Sequence, residues 1–251
     1  MPDFSRISVI TVCFNSAKTL ERNFTSVARQ TWPSIEHIVI DGSSTDGTAS
    51  ILERFRGCLA HVVSEPDKGI YDAMNKGLER ASGNIVCFLN ADDYYASPHV
   101  LSHVVEEMRN HDLDALLGDV VFFDAHSPER TVRRYRSDRF KPSRLAWGWM
   151  PAHPGLFLRR EVLQRVGRFN TNYRIAGDYE FIVRVFHGQS VRYKHLNEVL
   201  VRMQAGGAST SGWRAKVLLN QEVLRACREN GLSTNWLKIL SKYPLKLSEW
   251  I

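Results

Sequence analysis

Cysteine is scarce in this chain and long apolar runs are absent, and each absence excludes a class of protein. Four cysteines are present, and they form neither a Cys-x-x-Cys pair nor the spacing of a zinc site. No apolar stretch is long enough to cross a bilayer. The segment Met1–Arg6 lacks the basic and apolar regions of a signal peptide. We therefore expect a protein of the reducing cytoplasm.

Glycine-rich phosphate motifs are also missing. No Gly-x-Gly-x-x-Gly is suitably placed after a predicted strand, which argues against a dinucleotide-binding enzyme. A sugar-phosphate nucleotidyltransferase would carry a glycine-rich, arginine-containing loop after its first strand. The segment Cys13–Lys18 stands there instead and contains no glycine. The nucleotidyltransferase is therefore kept only as an alternative.

The composition is that of a globular protein with a basic surface. The chain has 251 residues, of which 43% are hydrophobic and 24% charged, enough for one large α/β domain. Its formal net charge is +6, and much of the excess lies between Arg130 and Arg144. Such a surface suits nucleic acid, anionic lipid or phosphorylated substrates. We expect no nucleic-acid binding, because few aromatic side chains interleave with the arginines for base stacking.

Strands and helices alternate in the first half of the chain. Short apolar runs predict strands, and amphipathic segments between them predict helices. The predicted strands are 7–12, 35–40, 59–63 and 85–89. This alternation favours parallel pairing through right-handed crossovers, and ligands of such sheets bind at the carboxyl ends of the strands.

The second half of the chain is less regular. Its patterns predict strands at 116–123, 155–158 and 199–203, helices at 161–166, 178–186 and 213–228, and a long arginine-rich loop to about Trp149. We predict one domain over residues 1–212, made of a nucleotide-binding half (1–100) and an acceptor half (101–212). Residues 213–251 are predicted to form a C-terminal helical extension.

An apolar run that ends in carboxylates is the most informative local feature. Ile85–Leu89 reads as a buried strand, and Asn90, Asp92 and Asp93 follow it. Clustered carboxylates repel each other and resist ionising together, a conflict that a divalent cation removes. Oxygen ligands at a strand end suit Mg²⁺ or Mn²⁺. The alternative is an Asp-rich turn in a solvated loop.

Five segments occur in an order that resembles a known family. They are 7–15, 39–48, 65–77, 90–93 and 177–181, the last reading Gly-Asp-Tyr-Glu-Phe. Together they resemble the family 2 glycosyltransferases, in particular the bacterial branch that builds exopolysaccharide, colanic-acid and O-antigen units. The resemblance implies an inverting enzyme with the GT-A fold, an α/β architecture whose mostly parallel central sheet is flanked by helices. It also implies a UDP-, GDP- or dTDP-sugar as the donor.

The resemblance assigns the donor pocket to residues that follow the first three strands. Thr11 and Asn15 would supply hydrogen bonds near the base, and Asp41 would accept one from a ring N–H. Asp67 and Lys68 would line the nucleotide pocket. Asp46, in the turn before the second helix, reads as a turn and cap residue rather than a ligand.

The resemblance also assigns the metal site and the base. Asp93 would be the main metal ligand, and Asp92 would contact the ribose or the metal. Asn90 departs from the family pattern, which often has Asp there. Inversion needs one general base for the acceptor hydroxyl, and Asp178 matches that residue. Its alternative role is a helix N-cap, for which Asp is well suited.

Three further segments keep two interpretations each. Trp147–Trp149 would contact an acceptor sugar or form a packed corner. His153 would touch the diphosphate or be a satisfied loop histidine. Gly206–Ser209 would close over phosphates or be a plain turn.

The predicted acceptor is a glycan or a lipid-linked oligosaccharide of cell-surface polysaccharide synthesis. The basic and apolar tail from Trp236 to Ile251 would either contact the cytoplasmic face of the membrane or pack on its own domain. A homo-oligomer is compatible with the sequence. The non-enzyme alternative is a sugar-nucleotide-binding protein without catalysis.

Overall fold

Helices cover both faces of one mixed sheet in the described part of the chain, residues 6–125, 127–206 and 212–243 of a computed structural model. The strands are β1 (Ile7–Cys13), β2 (Ile35–Asp41), β3 (His61–Ser64), β4 (Ile85–Phe88), β5 (Tyr94–Tyr95), β6 (Ala115–Asp124), β7 (Ser127–Tyr135), β8 (Leu156–Arg159) and β9 (Tyr193–Gln204). The α-helices are α1 (Leu20–Ala28), α2 (Thr48–Arg54), α3 (Ile70–Arg80), α4 (Val100–Asn110), α5 (Arg160–Val166), α6 (Gly177–Phe186), α7 (Trp213–Glu229) and α8 (Trp236–Leu240). Short 3₁₀ turns lie at Arg56–Cys58, Pro142–Trp147 and His153–Gly155.

Parallel pairing organises the first half, as the alternation predicts. The central strand β1 lies between β2 and β4, with Ile7 opposite both Ile35 and Ile85, and β3 pairs with the far side of β2. Every residue of β1 is buried, including the polar Ser8 and Thr11, as is typical of a parallel strand covered on both faces. The carboxyl ends of all four strands therefore meet at one edge of the sheet.

Antiparallel pairs enter in the second half. Strand β8 lies antiparallel between β4 and β6, and β9 then runs parallel to β6. Strands β5 and β7 add antiparallel neighbours to β9 and β6. The full order is β3-β2-β1-β4-β8-β6-β9-β5, with β7 beside β6.

The arginine-rich segment corrects one prediction. Part of the predicted long loop is the strand β7, because its cations find partners along the pairing with β6. Arg134 makes two hydrogen bonds to the fully buried Asp119, at 2.7 and 2.9 Å. Arg133 lies over the rings of Phe122 and Tyr135. Arg133 and Arg134 therefore have partners within the sheet, although the sequence pattern predicts a solvated loop here.

The C-terminal helices share the main core. Val223, Leu224 and Cys227 of α7 and Ile239 of α8 belong to the same apolar cluster as Phe181 of α6. The described part of the predicted extension therefore does not build a core of its own. Residues 207–211 and 244–251, which include most of the predicted Gly206–Ser209 loop and the end of the tail, lie outside the described residues.

No helix in the described ranges is both long enough and apolar enough to span a membrane. Among the four cysteines, Cys13, Cys87 and Cys227 are buried as free thiols and Cys58 is exposed. The scattered cysteines thus serve mainly as small core residues, as their apolar neighbours predict.

Candidate active site

The predicted polar residues collect at the carboxyl edge of the parallel strands. Their strands end at Cys13, Asp41, Ser64 and Phe88. The residues that follow or close those strands are Asn15, Asp41, Asp67, Asp92 and Asp93. Two cavities of about 280 and 340 Å³ lie elsewhere in the fold and contain none of these residues. The candidate site is thus a sheet edge at the position where α/β proteins bind ligands.

Asn15 joins the loops that follow β1 and β2. It adopts a left-handed φ of 50°, its side-chain Oδ1 accepts a 2.9 Å hydrogen bond from the Thr45 amide, and its own amide donates to Ser44 Oγ at 2.7 Å. Both groups therefore fix the two loops to each other. This use of the amide oxygen makes Asn15 a scaffold residue at the edge of the pocket.

Asp41 lies below that loop and is only 1% exposed. Its carboxylate accepts hydrogen bonds from Ser64 Oγ at 2.6 Å and from the Ser44 amide at 3.2 Å, and the Ser44 hydroxyl donates to its other oxygen. The carboxylate is thus held by its own neighbours. It can shape the floor of the pocket through these serines.

Asp67 and Phe14 frame the open side of this corner. A Cβ added to Gly42 would lie 2.5 Å from Asp67 Oδ2 and 3.3 Å from Phe14 Cδ2. The missing side chain of Gly42 therefore makes room for the Asp67 carboxylate. Phe14 is 63% exposed, a ring free to stack on a planar group. Phe14 is not among the site residues predicted from the sequence, although an aromatic residue directly after a buried parallel strand was the available signal.

The geometry argues against the predicted base contact of Thr11. Its side chain is fully buried, and its hydroxyl lies 3.0 Å from His37 Nε2 and 3.3 Å from Asn23 Oδ1. Side chains alternate along a strand, so Thr11 points to the opposite face from Ile10 and Val12. Thr11 therefore belongs to a buried polar cluster between β1, α1 and β2.

Two other predicted positions are near the edge but differ in their contacts. The Lys68 side chain is exposed, and its backbone amide donates to Asp72 Oδ2 at 3.0 Å. Asp46 accepts from the Thr48 amide and hydroxyl and from the Ala17 amide, at 2.6 to 3.1 Å. These hydrogen bonds lower the pKa of Asp46, the Thr48 hydroxyl contributing most. Asp46 is thus a turn and cap residue, as predicted.

The loop after β4 carries two unpartnered side-chain oxygens, and Asn90 Nδ2 donates a 3.4 Å hydrogen bond to the other oxygen of Asp93, Oδ2. Among the described side chains, Asn90 Oδ1 and Asp93 Oδ1 are buried without a hydrogen-bond partner. The loop that carries them is fixed from behind, because Asn23 Nδ2 donates to the carbonyl oxygens of Asn90 and Asp93 at 2.8 and 2.9 Å. A rigid loop with orphaned acceptor oxygens fits a cation, since buried acceptors otherwise lose their hydration without compensation.

The electrostatics of this loop lead to the same conclusion. Burial, and then the charge of Asp92, raise the pKa of Asp93 well above its usual range. Burial also raises the pKa of Asp92, and the guanidinium of Arg22 partly offsets it. No group of three or more His, Cys, Asp and Glu side chains in the described ranges is arranged to hold a metal by itself. A bound divalent ion would therefore need oxygens from a ligand in addition to Asp93, Asn90 and Asp92.

Asp178 stands in the first turn of α6. Its Oδ1 accepts a 2.8 Å hydrogen bond from the Tyr179 amide. Burial raises its pKa to about 6, against opposing hydrogen bonds from the backbone. No ion pair to Asp178 occurs among the residues described. It is therefore a half-buried carboxylate poised to exchange a proton near neutral pH.

Glu180, two residues later, is chemically different. Its two oxygens accept hydrogen bonds from Arg184 at 2.7 and 2.8 Å, and the side chain is buried. Arg184 also donates to the carbonyl oxygens of Val166 and Arg168. Glu180 is thus neutralised within the fold, whereas Asp178 of the same Gly-Asp-Tyr-Glu-Phe segment has no cationic partner among the described residues.

Aromatic packing joins the β4 edge to α6. Phe169 stacks on Phe181 of α6 with ring centroids 4.2 Å apart, and it meets Phe88 of β4 at 5.2 Å. His153 stacks on Phe88 at 5.3 Å, and burial lowers its pKa to about 4. This neutral, packed ring supports the interpretation of His153 as a structural loop histidine.

The Trp147–Trp149 segment lies against the C-terminal helices. Trp147 is 44% exposed, with Lys238 Nζ 5.7 Å from its ring, whereas Leu145 beside it is fully buried. The corner therefore packs inward through Leu145 and leaves one tryptophan at the surface.

Comparison with known proteins identifies this architecture. Residues 8–167 match the profile of glycosyl transferase family 2. The chain belongs to glycosyl transferase family 2. A PGL/p-HBAD biosynthesis glycosyltransferase of Mycobacterium bovis is 31% identical over 195 residues, which cover 75% of this chain and 73% of the relative. An uncharacterized glycosyltransferase of Mycobacterium tuberculosis is 32% identical over 194 residues, covering 71% and 68% of the two chains.

Solved structures of other proteins share the fold. S. aureus TarS superposes with a TM-score of 0.66 at 23% identity, covering 87% of this glycosyltransferase and 40% of the TarS chain. The mannosyltransferase PcManGT of Pyrobaculum calidifontis, solved with GDP-Man and Mn²⁺, gives 0.66 at 23% identity over 89% and 63% of the two chains. The family resemblance and the GT-A fold are thereby confirmed, and the glycosyltransferase class follows from the family.

Proposed function

We propose that this glycosyltransferase moves a sugar from a nucleotide-diphosphate sugar to an acceptor hydroxyl with inversion, using Asp178 as the general base. The observation that carries the proposal is the half-buried Asp178 carboxylate at the start of α6, which has no cationic partner among the described residues. Its pKa of about 6 leaves it ionised at pH 7 yet able to accept a proton. Glu180, which is paired with Arg184, cannot easily take this part.

The proposed reaction balances with one base. Asp178 accepts the proton of the acceptor hydroxyl while that oxygen forms a bond to the anomeric carbon. The bond between this carbon and the diphosphate oxygen breaks, and the nucleoside diphosphate leaves with the electron pair. Attack on the face opposite the leaving group inverts the anomeric centre, and the carbon passes through an oxocarbenium-like state.

The donor would lie along the β1–β3 edge. Phe14 offers an exposed ring for stacking on the base, and Asp67 offers a carboxylate for a base or ribose hydroxyl. Asp41 and Asn15 would hold the surrounding loops. The exposed Lys68 side chain would approach a phosphate. Related structures contain UDP-GlcNAc and GDP-Man, which supports a nucleotide-sugar donor.

A divalent ion would be held by Asp93, Asn90 and Asp92. The orphaned oxygens of Asn90 and Asp93 fit Mg²⁺ or Mn²⁺, and one related structure contains Mn²⁺. When bound, the ion would stabilise negative charge on the departing diphosphate. Asn23 contributes by holding the backbone of this loop in place.

The acceptor would be a glycan or lipid-linked oligosaccharide presented at the cytoplasmic face of a membrane. Each of the two C-terminal helices carries an exposed apolar side chain next to a cation in sequence: Trp213 beside Arg214 on α7, and Leu237 beside Lys238 on α8, with Trp213 70% and Leu237 82% exposed. Such a surface suits contact with anionic lipid. Flotation of the full chain with anionic vesicles tests the proposed membrane contact. We expect the protein to float with the vesicles, and we expect Leu237→Ser to reduce the floating fraction. An equal floating fraction with and without vesicles would contradict membrane contact.

A donor panel tests the proposed activity. The protein is incubated with UDP-, GDP- and dTDP-sugars, with Mg²⁺, Mn²⁺ or chelator, and release of nucleoside diphosphate is measured with and without glycan acceptors. We expect one nucleotide class to be turned over and chelator to abolish release. Tight donor binding with no turnover across a broad acceptor panel would instead favour a sugar-nucleotide-binding protein.

A further inference from the structure

Glu222 of α7 is a buried carboxylate bound to three consecutive backbone amides. It is 5% exposed, and its oxygens accept hydrogen bonds from the amides of Arg174, Ile175 and Ala176 at 2.8, 2.9 and 2.8 Å. Successive amides that converge on one anion form a concave anion site. Here the anion is the side chain of a residue that lies 46 to 48 positions later in the chain.

These amides lie directly before α6. Ala176 is the N-cap residue, and its methyl side chain cannot accept a hydrogen bond from the first helical turn. The start of α6 therefore depends on a distant carboxylate instead of a local cap. Asp178 follows two residues after the last amide that Glu222 holds.

Tyr71 of α3 holds the same segment from the other side. Its hydroxyl donates a 2.6 Å hydrogen bond to the Ile175 carbonyl. A Cβ on Gly177 would lie 2.6 Å from Tyr71 Cε2, so only glycine lets the ring lie this close to the backbone. Residues 174–177 are thus clamped between α3 and α7.

Packing of α7 does not itself require the Glu222 carboxylate. The helix is anchored by Val223, Leu224 and Cys227 in the core, and Glu229 accepts a 2.5 Å hydrogen bond from the Tyr173 hydroxyl. A buried charge costs solvation free energy, so an anchor alone would be better served by an apolar side chain. The position of Glu222 is explained by the backbone that it holds.

We infer that Glu222 is a positioning residue, whose carboxylate fixes the backbone of residues 174–176 and so aims Asp178 at the acceptor hydroxyl. This inference rests on the proposed function of Asp178. It makes the C-terminal helix α7 part of the active-site architecture.

The negative charge of Glu222 also affects the pKa of Asp178, so the pH–rate profile is a second test of this inference. The titratable groups that face Asp178 are Tyr71 from α3 and Glu222 from α7. After burial, which is the main cause, the negative charge of Glu222 also raises the pKa of Asp178, whereas Tyr71 opposes the increase. Removing the Glu222 charge should therefore move the acid limb of the pH–rate profile to lower pH.

Glu222→Gln and Glu222→Asp test the inference against the matched control Glu229→Gln on the same helix. In Glu222→Gln one oxygen becomes an NH₂ group that faces backbone donors, so we expect kcat to fall about 10- to 100-fold at unchanged donor KM. Its acid limb should move to lower pH. Glu222→Asp keeps the charge but is one methylene shorter, so kcat should fall while the acid limb stays in place.

Three outcomes decide the matter. A Glu222→Gln enzyme with the kcat and pH profile of Glu229→Gln would overturn the positioning role while leaving the proposed function intact. A loss of thermal stability alone, with kcat per folded molecule unchanged in both Glu222 variants, would also overturn it. Wild-type protein that transfers no sugar from any donor would refute the proposed function and this inference together.

Discussion

Carboxylates have opposite environments in two regions of the molecule. The first region is the loops after β1 and β2, and the second extends from the end of β4 to the start of α6. In the first region, Asp41 and Asp46 accept hydrogen bonds from nearby hydroxyls and amides, and the pKa of Asp46 is lowered. In the second region, burial raises the pKa of both Asp93 and Asp178. The first arrangement stabilises loops, whereas the second stores unfavourable electrostatic free energy.

That contrast separates scaffold from chemistry. A carboxylate that is satisfied in the free protein gains little from a ligand, whereas one that is desolvated without a cationic partner gains from a cation or a proton. Among the described residues neither Asp93 nor Asp178 forms an ion pair, and we expect Asp93 to bind a cation and Asp178 a proton. The predictions below test whether the two regions differ in this way.

The largest effect is expected for Asp178→Asn. The amide cannot accept the acceptor proton, so transfer should fall about 10²–10⁴-fold while donor affinity stays within a factor of two or so. The control is Asp138→Asn, which removes an exposed partner of Arg136 and should leave transfer unchanged. The measurement is radiolabelled sugar transfer beside donor titration calorimetry. Full turnover by Asp178→Asn would remove it from the mechanism.

Asp93→Asn should give the next largest loss. It removes a charge from the proposed cation site at nearly constant volume, and we expect transfer to fall about 10²–10³-fold, with weaker stabilisation of the folded protein by Mn²⁺. Asp46→Ala is the comparison from the loops after β1 and β2, because Asp46 fixes the turn there by accepting a hydrogen bond from the Thr48 amide. It should lower the melting temperature without changing kcat. Equal losses of transfer in Asp93→Asn and Asp46→Ala would contradict the proposed difference between the two regions.

Gly42→Ala should weaken donor binding about tenfold. The new methyl group would meet Asp67 Oδ2 at 2.5 Å and force that carboxylate to move. Gly57→Ala is the control, because nothing lies within 4 Å of its added Cβ. Calorimetric titration with the donor compares the two variants. Unchanged affinity in Gly42→Ala would show that Asp67 does not contact the donor.

Asp178→Asn should also stabilise the protein, by about 1–3 kcal/mol at pH 7. Its pKa in the folded protein is about 6, above its ordinary value of 3.8, so the folded state binds more protons than the unfolded state between these values. Wild-type stability therefore falls as pH rises through this window, and the variant lacks that loss. Urea unfolding of the wild type and the variant at pH 4 and pH 7 measures the difference in their free energies of unfolding. A variant less stable than wild type at pH 7 would contradict the sign.

The N-terminal half of the fold could be predicted closely from the sequence. Short apolar runs ending in polar residues predict β1 to β4 and place Asp41, Asp67 and Asp93 at one edge, because parallel strands share their carboxyl ends. The order of the motifs predicts the family. Side-chain alternation along β1 places Thr11 on the face opposite to Ile10 and Val12, but the contact of Thr11 with Asn23 of α1 is visible only in the structure.

Long-range contacts were beyond such patterns. Nothing near Asp178 in sequence indicates that Glu222 and Tyr71 hold its helix, because both partners come from other elements. The strand β7 was hidden because its arginines suggest solvent, while their partner Asp119 lies on β6. Charge satisfied across a sheet is visible only once the pairing is known.

The pH dependence of transfer by the wild-type protein tests the central claim most directly. With donor saturating, kcat/KM for the acceptor is measured from pH 5 to pH 8, and donor affinity is measured at each pH as the control for the β4 edge. We predict a plateau above about pH 6 and a tenfold fall per pH unit below it, matching the raised pKa of Asp178, which is about 6. A flat profile across this range, with donor affinity constant, would contradict the assignment of Asp178 as the base.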